Sequence, residues 1–185
     1  MKKQWIAALA LAAALPVFAQ QKLLPAQSEI AFTARQIGVP VEGKFRKFDA
    51  QVAFDPKNLA ASKIGFTVDI GSATMGNAEA DAELPKTEWF NTKAFPQATF
   101  QSSKVTALGG GKFDVDGKLT IKGASQDVKV PVTLTQSGPT TTAVGAFKIK
   151  RLQFKIGDGE WKDTSMVADD VDVKFKLALS GVPAL

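Results

Sequence analysis

The sequence predicts an all-β, antiparallel fold of about eight strands with one short helix, and three observations carry that prediction. Apolar residues alternate with period two in eight separate segments, the mark of strands with one buried face. Most connections between those segments are short and polar. No crossover helices separate the segments, which argues against a parallel sheet.

Residues 1–19 stand apart from the pattern. Lys2 and Lys3 form a basic start, residues 5–15 are an uncharged run rich in Ala and Leu, and Val17-Phe18-Ala19 supplies the small residues that signal peptidase reads. A cleaved signal peptide over 1–19 and an exported protein are the expectation. The apolar run is about a dozen residues, short of the ~20 that span a bilayer, so no stable membrane insertion is expected after cleavage. Residues 20–185 then form one domain, large enough for an adequate core and undivided by repeats or linkers.

The first strand places Ile30, Phe32 and Ala34 on one face and Ala31, Thr33 and Arg35 on the other. Phe48, Ala50, Val52 and Phe54 share a parity that Phe45 breaks, which predicts a bulge or bend between them. Ile64, Phe66, Val68 and Ile70 make the third strand. A weaker fourth runs from Ala98 through Ser102 toward Val105. Phe113, Val115, Gly117, Leu119 and Ile121 form the fifth, Val128, Val130, Val132 and Leu134 the sixth, and Phe147 with Ile149 the seventh. Val171, Val173, Phe175, Leu177 and Leu179 close the chain with the clearest alternation. Gly109-Gly110-Gly111, Lys122-Gly123 and Gly138-Pro139 punctuate the later strands as tight turns.

Two connections are longer. In the first, Asn77 is placed to cap an Ala/Glu-rich helix that ends at Leu84 before Pro85. It is followed by a stretch from Trp89 to Phe100 with four aromatics. Pro96 cannot donate to a ladder and pushes Phe95 toward extended geometry, so a strand should begin just after it. Trp89, Phe90 and Phe95 then need cover, which a helical turn folded over one end of the sheet would give. The second connection, residues 157–169 with Trp161 and Met166, reads as an irregular loop near one end of the sheet.

Composition removes several classes of function. Lys2 and Lys3 are two of the 23 basic residues, so without the leader the excess over 18 acidic residues falls from +5 to +3, and no nucleic-acid partner is indicated. The chain has no cysteine, so burial must hold it together without disulfides, and no histidine, which removes the commonest catalytic base and metal ligand. No serine sits in a Gly-x-Ser-x-Gly elbow. The expectation is a protein that is not an enzyme.

Strands of this number, each with one apolar face, can close into an up-and-down barrel or stack as two sheets. Large inner positions (Phe32, Phe54, Phe66, Phe100, Phe113, Phe147, Phe175) interleaved with small ones (Ala34, Ala50, Ser102, Gly117) favour the barrel. A small barrel either fills itself with side chains or holds one ligand, and periodicity leaves both open.

The run Gly43-Lys44-Phe45 with Phe48, the exit Phe54-Asp55-Pro56, and the block from Trp89-Phe90 to Phe95-Pro96-Gln97-Ala98-Thr99-Phe100-Gln101-Ser102 occur here in one order. The hairpin Gly117-Lys118-Leu119-Thr120-Ile121-Lys122-Gly123 and the late Ile149-Lys150-Arg151 with Phe154 and Ile156-Gly157 complete the set. In this order and register the sequence resembles the YceI-like family over essentially the whole of 20–185. The resemblance implies an extended lipocalin-like barrel, periplasmic, that takes the tail of an isoprenoid or other long-chain amphiphile and performs no catalysis. It implies no cofactor beyond such a bound isoprenoid or fatty amphiphile. The alternative is a filled barrel acting as an envelope stress or interaction protein. The chain departs from the family pattern at Gln36, at Ala80 beside Asp81, and at Gln153, positions where relatives carry a histidine, an arginine and an acidic residue.

On this reading Phe32, Phe45, Phe66, Phe100, Phe147 and Phe154, with Val68 and Leu119, contact the tail. Trp89, Phe90, Phe95 and Trp161 close one end, and Arg35, Gln36 and Arg151 meet the head group. Arg151 has the parity of Phe147 and Ile149 and should point inward, where Asp81 or a ligand anion would pair it. The cluster Lys148, Lys150, Arg151 and Lys155 could attract a phosphate or diphosphate head group at the mouth, but Lys148 and Lys150 have the parity opposite to Phe147 and Ile149, which favours an outer solvated face; Glu79 and Glu83 read as a solvated helix face. The acidic residues Asp158, Glu160, Asp163, Asp169, Asp170 and Asp172 lack calcium-loop spacing, and no metal is expected. A monomer and a homodimer through strands near the termini both remain open.

Overall fold

The computed structural model describes residues 21–185, so the leader expected over 1–19 lies outside the described residues. In chain order the elements are β1 (Lys22–Leu23), β2 (Glu29–Gln36), β3 (Val39–Phe45), β4 (Phe48–Ala53), β5 (Lys63–Asp69), β6 (Ala73–Thr74), α1 (Ala78–Glu83), β7 (Gln97–Gly109), β8 (Lys112–Ile121), β9 (Ala124–Ser137), β10 (Thr140–Lys150) and β11 (Asp170–Ser180). All eleven strands join one antiparallel sheet. The excess over the expected eight has a simple origin. β1 and β6 have two residues each, and the expected second strand is two strands, β3 and β4, separated by a corner at Arg46 and Lys47. Phe45 breaks parity because it ends β3. Pro40 and Gly43 interrupt the alternation of β3, which hides it in the sequence.

The ladder runs β4-β5-β7-β8-β9-β10-β11-β2-β3-β6 and curls until its ends meet. Because β3 continues into β4 and β5 into β6, the ends of the ladder are joined by two short corners. There the Arg46 N–H donates to the Ser72 carbonyl at 3.2 Å and the Asp69 N–H to the Lys47 carbonyl at 3.0 Å. On the other side of β4, β1 pairs with β11 and Gln21 bridges to Val52. The Gln21 side chain extends that bridge, donating from Nε2 to the Phe54 carbonyl at 2.7 Å and accepting the Phe54 N–H at 3.0 Å. The product is an antiparallel barrel with α1 and the loops gathered at one end.

One parity of each strand faces the interior, as the alternation requires. At the end bearing both termini the interior is more tightly packed: Phe54 and Phe113 meet edge to face at 5.3 Å, with Val105, Leu177, Leu179 and Val182 buried around them, although all six still line the central space. Toward the loops the inward side chains are only partly covered. Phe32, Phe66, Phe100, Phe147 and Phe175 all retain accessible surface although they point into the barrel. Cross-strand glycines explain how the rings leave space. A Cβ on Gly43 would sit 2.2 Å from Cζ of Phe32, one on Gly117 2.5 Å from Cζ of Phe100, and one on Gly145 2.3 Å from Cζ of Phe175. Each ring folds over the glycine of the adjacent strand instead of crossing the lumen.

Candidate functional site

The lumen is an apolar cavity of about 440 Å³. Its walls come from every long strand except the outer face of each, and its polar lining is confined to Arg35, Gln36, Glu83, Thr141 and Arg151. Arg35, Gln36 and Glu83 are exposed as well as lining, so they mark the mouth. The size falls within the roughly 300–1,000 Å³ of small-molecule sites, and the dry wall suits a hydrocarbon chain.

The loop end is built from local signals. Asn77 caps α1 by accepting the N–H groups of Glu79 (2.8 Å) and Ala80 (3.4 Å), and the helix spacing turns Ala80, Glu83 and Leu84 toward the cavity. Asp81 fastens the helix to the sheet, accepting the Thr74 hydroxyl and the Met75 N–H, each at 2.6 Å. Those two bonds, with Arg46 nearby, hold its carboxyl below the usual range. Trp89 and Trp161 stack at 5.3 Å in a tilted pair and line the cavity beside Phe90, whose ring lies 6.3 Å from Phe45.

Arg151 points inward as its parity predicts, and it is 2% exposed. Its partners correct the expectation of Asp81 or a ligand anion. Nε donates to the Ala168 carbonyl (3.1 Å), Nη1 to Ile156 (2.8 Å) and Gly157 (3.2 Å), and Nη2 to Trp161 (2.6 Å) and Val167 (2.7 Å). A guanidinium has five N–H donors, so none is left for a head group. Arg151 is the staple that folds residues 156–168 over the barrel. Burial pushes its pKa down, and Asp169 opposes that. Lys122 does a similar job unforeseen in the sequence. It is 7% exposed, its Nζ donates to the Lys155 carbonyl at 2.6 Å and faces Asp158 at 3.6 Å, and burial pushes its pKa down.

Of the residues expected at the site, Phe32, Arg35, Gln36, Phe45, Phe66, Val68, Trp89, Phe90, Phe100, Leu119, Phe147, Arg151 and Trp161 all line the cavity. Two do not. Phe95 packs against the turn at Gly123, where an added Cβ would lie 2.8 Å from its Cε1. Phe154 is 1% exposed and sits on the 3-10 turn after β10. The β9–β10 ladder ends at Gly145 and Val132, and Phe154 fills the parting beyond it, among Ala124, Phe147 and Ile149. Phe154 lies four residues past the end of β10, where the strand pattern no longer says which way a side chain points. Met75, Ala80 and Leu84 are lining residues missed by the strand pattern; the i, i+4 spacing of Ala80 and Leu84 is the signal that finds them.

Lys148 and Lys150 pair with Asp170 on the outer face, Glu83 with Lys86 at 2.5 Å, and Asp169 accepts the Leu152 N–H at 3.0 Å. Among the described residues no cluster of three or more acidic, histidine or cysteine side chains is arranged to hold a metal. No helix among them is long and apolar enough to cross a membrane.

The YceI-like domain model matches residues 22–179. UPF0312 proteins of Pectobacterium atrosepticum and Vibrio parahaemolyticus are 36% and 33% identical, over 83% and 75% of this chain and 80% and 77% of theirs. BcnA of Burkholderia cenocepacia shares 46% identity with a TM-score of 0.82, covering 84% of this chain and 98% of that structure. A polyisoprenoid-binding domain from Saccharophagus degradans shares the fold, with a TM-score of 0.71 at 15% identity over 89% of this chain and 99% of its own.

Proposed function

The chain belongs to the YceI-like family, and on that premise we propose that it is a periplasmic carrier that holds the tail of an isoprenoid or another long-chain amphiphile inside the barrel. The observation that carries the reading is the hollow interior: inward aromatics that keep accessible surface around an apolar space of about 440 Å³ with a polar mouth at the loop end. The polyisoprenoid-binding name of the Saccharophagus relative supports the ligand class. Periplasmic residence is part of this reading, supported by the family and by the leader expected at residues 1–19. The reading includes no cofactor and no catalysis.

Affinity comes from the tail. Burying a methylene yields about 0.8 kcal/mol, so roughly ten carbons gain about 8 kcal/mol before ordering costs. That approaches the ~8.2 kcal/mol of a micromolar complex. The head group stays at the mouth, where Arg35 and Gln36 are the polar groups on offer beside Glu83, which is paired with Lys86. Among the described residues no side chain holds the Arg35 guanidinium, so it is free to meet an anionic or polar head. Arg151, its donors spent, shapes the mouth without touching the ligand.

Native mass spectrometry of the protein purified from its own host tests this. A stoichiometric adduct of polyprenyl, quinone or fatty mass, released by solvent extraction, is the expected result. A bare mass that stays bare after incubation with isoprenoids and fatty amides would favour the filled-barrel interaction protein instead.

A further inference from the structure

Three large apolar side chains stand in solvent beside the mouth: Ile37 is 66% exposed, Val39 62% and Met166 43%. The fold brings them together. Ile37 and Gly38 are the two central residues of the β2–β3 hairpin turn, Val39 opens the returning strand, and the Ile37 N–H donates to the Met166 carbonyl at 2.8 Å. Gln36 bridges to Val167 directly behind them, and Gln36 and Val167 both line the cavity.

The backbone at Ile37 makes this patch more than a scatter of surface residues. Ile37 and Gly38 have φ +49° and +76°, the two positive values of a type I′ turn, whose first position favours Asn, Asp or Gly. A β-branched residue is an outlier there. Lys122 occupies the corresponding position before Gly123, with φ +49°, but its side chain is buried and bonded to the Lys155 carbonyl. Ile37 has the same cost and no such return within the barrel. Backbone strain retained at an exposed position points to a use outside the fold.

We propose that the Ile37-Val39-Met166 tip is a membrane-docking surface that inserts into the outer layer of a lipid bilayer and sets the cavity mouth against it. The size of the patch selects this occupant. Three side chains fall far short of the ~800 Å² per partner that a stable protein complex buries, whereas insertion into a bilayer needs no matching surface and gains from each side chain separately. Its continuity with the cavity rim places the mouth where an amphiphile would leave the membrane. The purpose rests on the carrier reading; the geometry does not.

Flotation of the protein with phosphatidylcholine vesicles, at low and high salt, tests the docking surface. Weak, salt-insensitive association is expected. Ile37→Asn should lower the partition coefficient about tenfold, on the scale of half-burying one isoleucine, while leaving the melting temperature equal or higher because Asn accepts the left-handed turn. Met166→Gln should lower partition in the same direction. Leu108→Gln, which alters a 59% exposed leucine near the β7–β8 turn, should change nothing. Equal flotation of wild type and Ile37→Asn, association abolished by salt, or Ile37-dependent self-association in place of vesicle binding would each overturn the inference. Native mass spectrometry on the same samples keeps the two readings apart: an adduct retained by protein that does not float leaves the carrier standing and removes the docking surface.

Discussion

Phe32 shows how a single position decides whether the barrel is hollow. Its ring closes over Gly43 of β3 and meets Phe45 at a centroid distance of 5.4 Å. Gly43→Ala would put a methyl 2.2 Å from Cζ, so the ring must turn into the lumen. The expected cost is about 1–3 kcal/mol of stability from overpacking, read by urea unfolding, with fewer ligand molecules retained per protein. Adding Phe32→Leu should restore both. An alanine variant with wild-type stability and retention would show that the glycine is not what seats the ring. At Arg151 the expectation concerns stability alone. Arg151→Met strips five carbonyls of their donor in a site that excludes water. Unfolding should become easier by about 3 kcal/mol or more, given the ~1–3 kcal/mol cost of each unsatisfied buried group and some relaxation of the loop.

At the scale of elements, the attachment of α1 responds to pH. Asp81 has a folded pKa below its ordinary 3.8, so it favours the folded arrangement above that value and loses the contribution as pH falls through the lower folded value. Helix docking should be complete at neutral pH and weaken only below about pH 4. Release of a fluorescent fatty amphiphile should accelerate in that acid range, and Asp81→Asn should show fast release at neutral pH with no acid step. An unchanged acid step in the variant would assign it to other carboxylates. The elements also show what the sequence makes legible. Strand alternation was readable because one parity meets the interior, and the cap at Asn77 because it acts on its own next turn. β3 was obscured by Pro40 and Gly43. The inward direction of Arg151 was readable from parity, but its partners were not, since carbonyls of a returning loop carry no sequence mark. Whether the rings fill or line the lumen depended on glycines opposite them in register, a relation between strands that a single strand's pattern does not contain.

The interior grades from a tightly packed end to a more open one, and that gradient makes a prediction about linkage. The packed end, around Phe54, Phe113 and Leu179, holds buried core that supplies stability without a ligand. The open end leaves apolar wall facing the cavity, so a bound tail adds burial that the empty barrel lacks. A ligand binding only the folded state at one hundred times its dissociation constant contributes about 2.7 kcal/mol. For a domain of this size each kcal/mol moves the melting temperature by about 2–4 °C, so extracted protein should melt roughly 5–10 °C below loaded protein. The effect should also be uneven. Amides of β5, β7 and β8 nearest the loops should gain protection from hydrogen exchange on loading, while those beside Phe113 and Leu179 change little beyond the global shift. Exchange that tightens uniformly along the strands would mean that the two ends unfold as one unit, and that the open end is not held independently of the packed one.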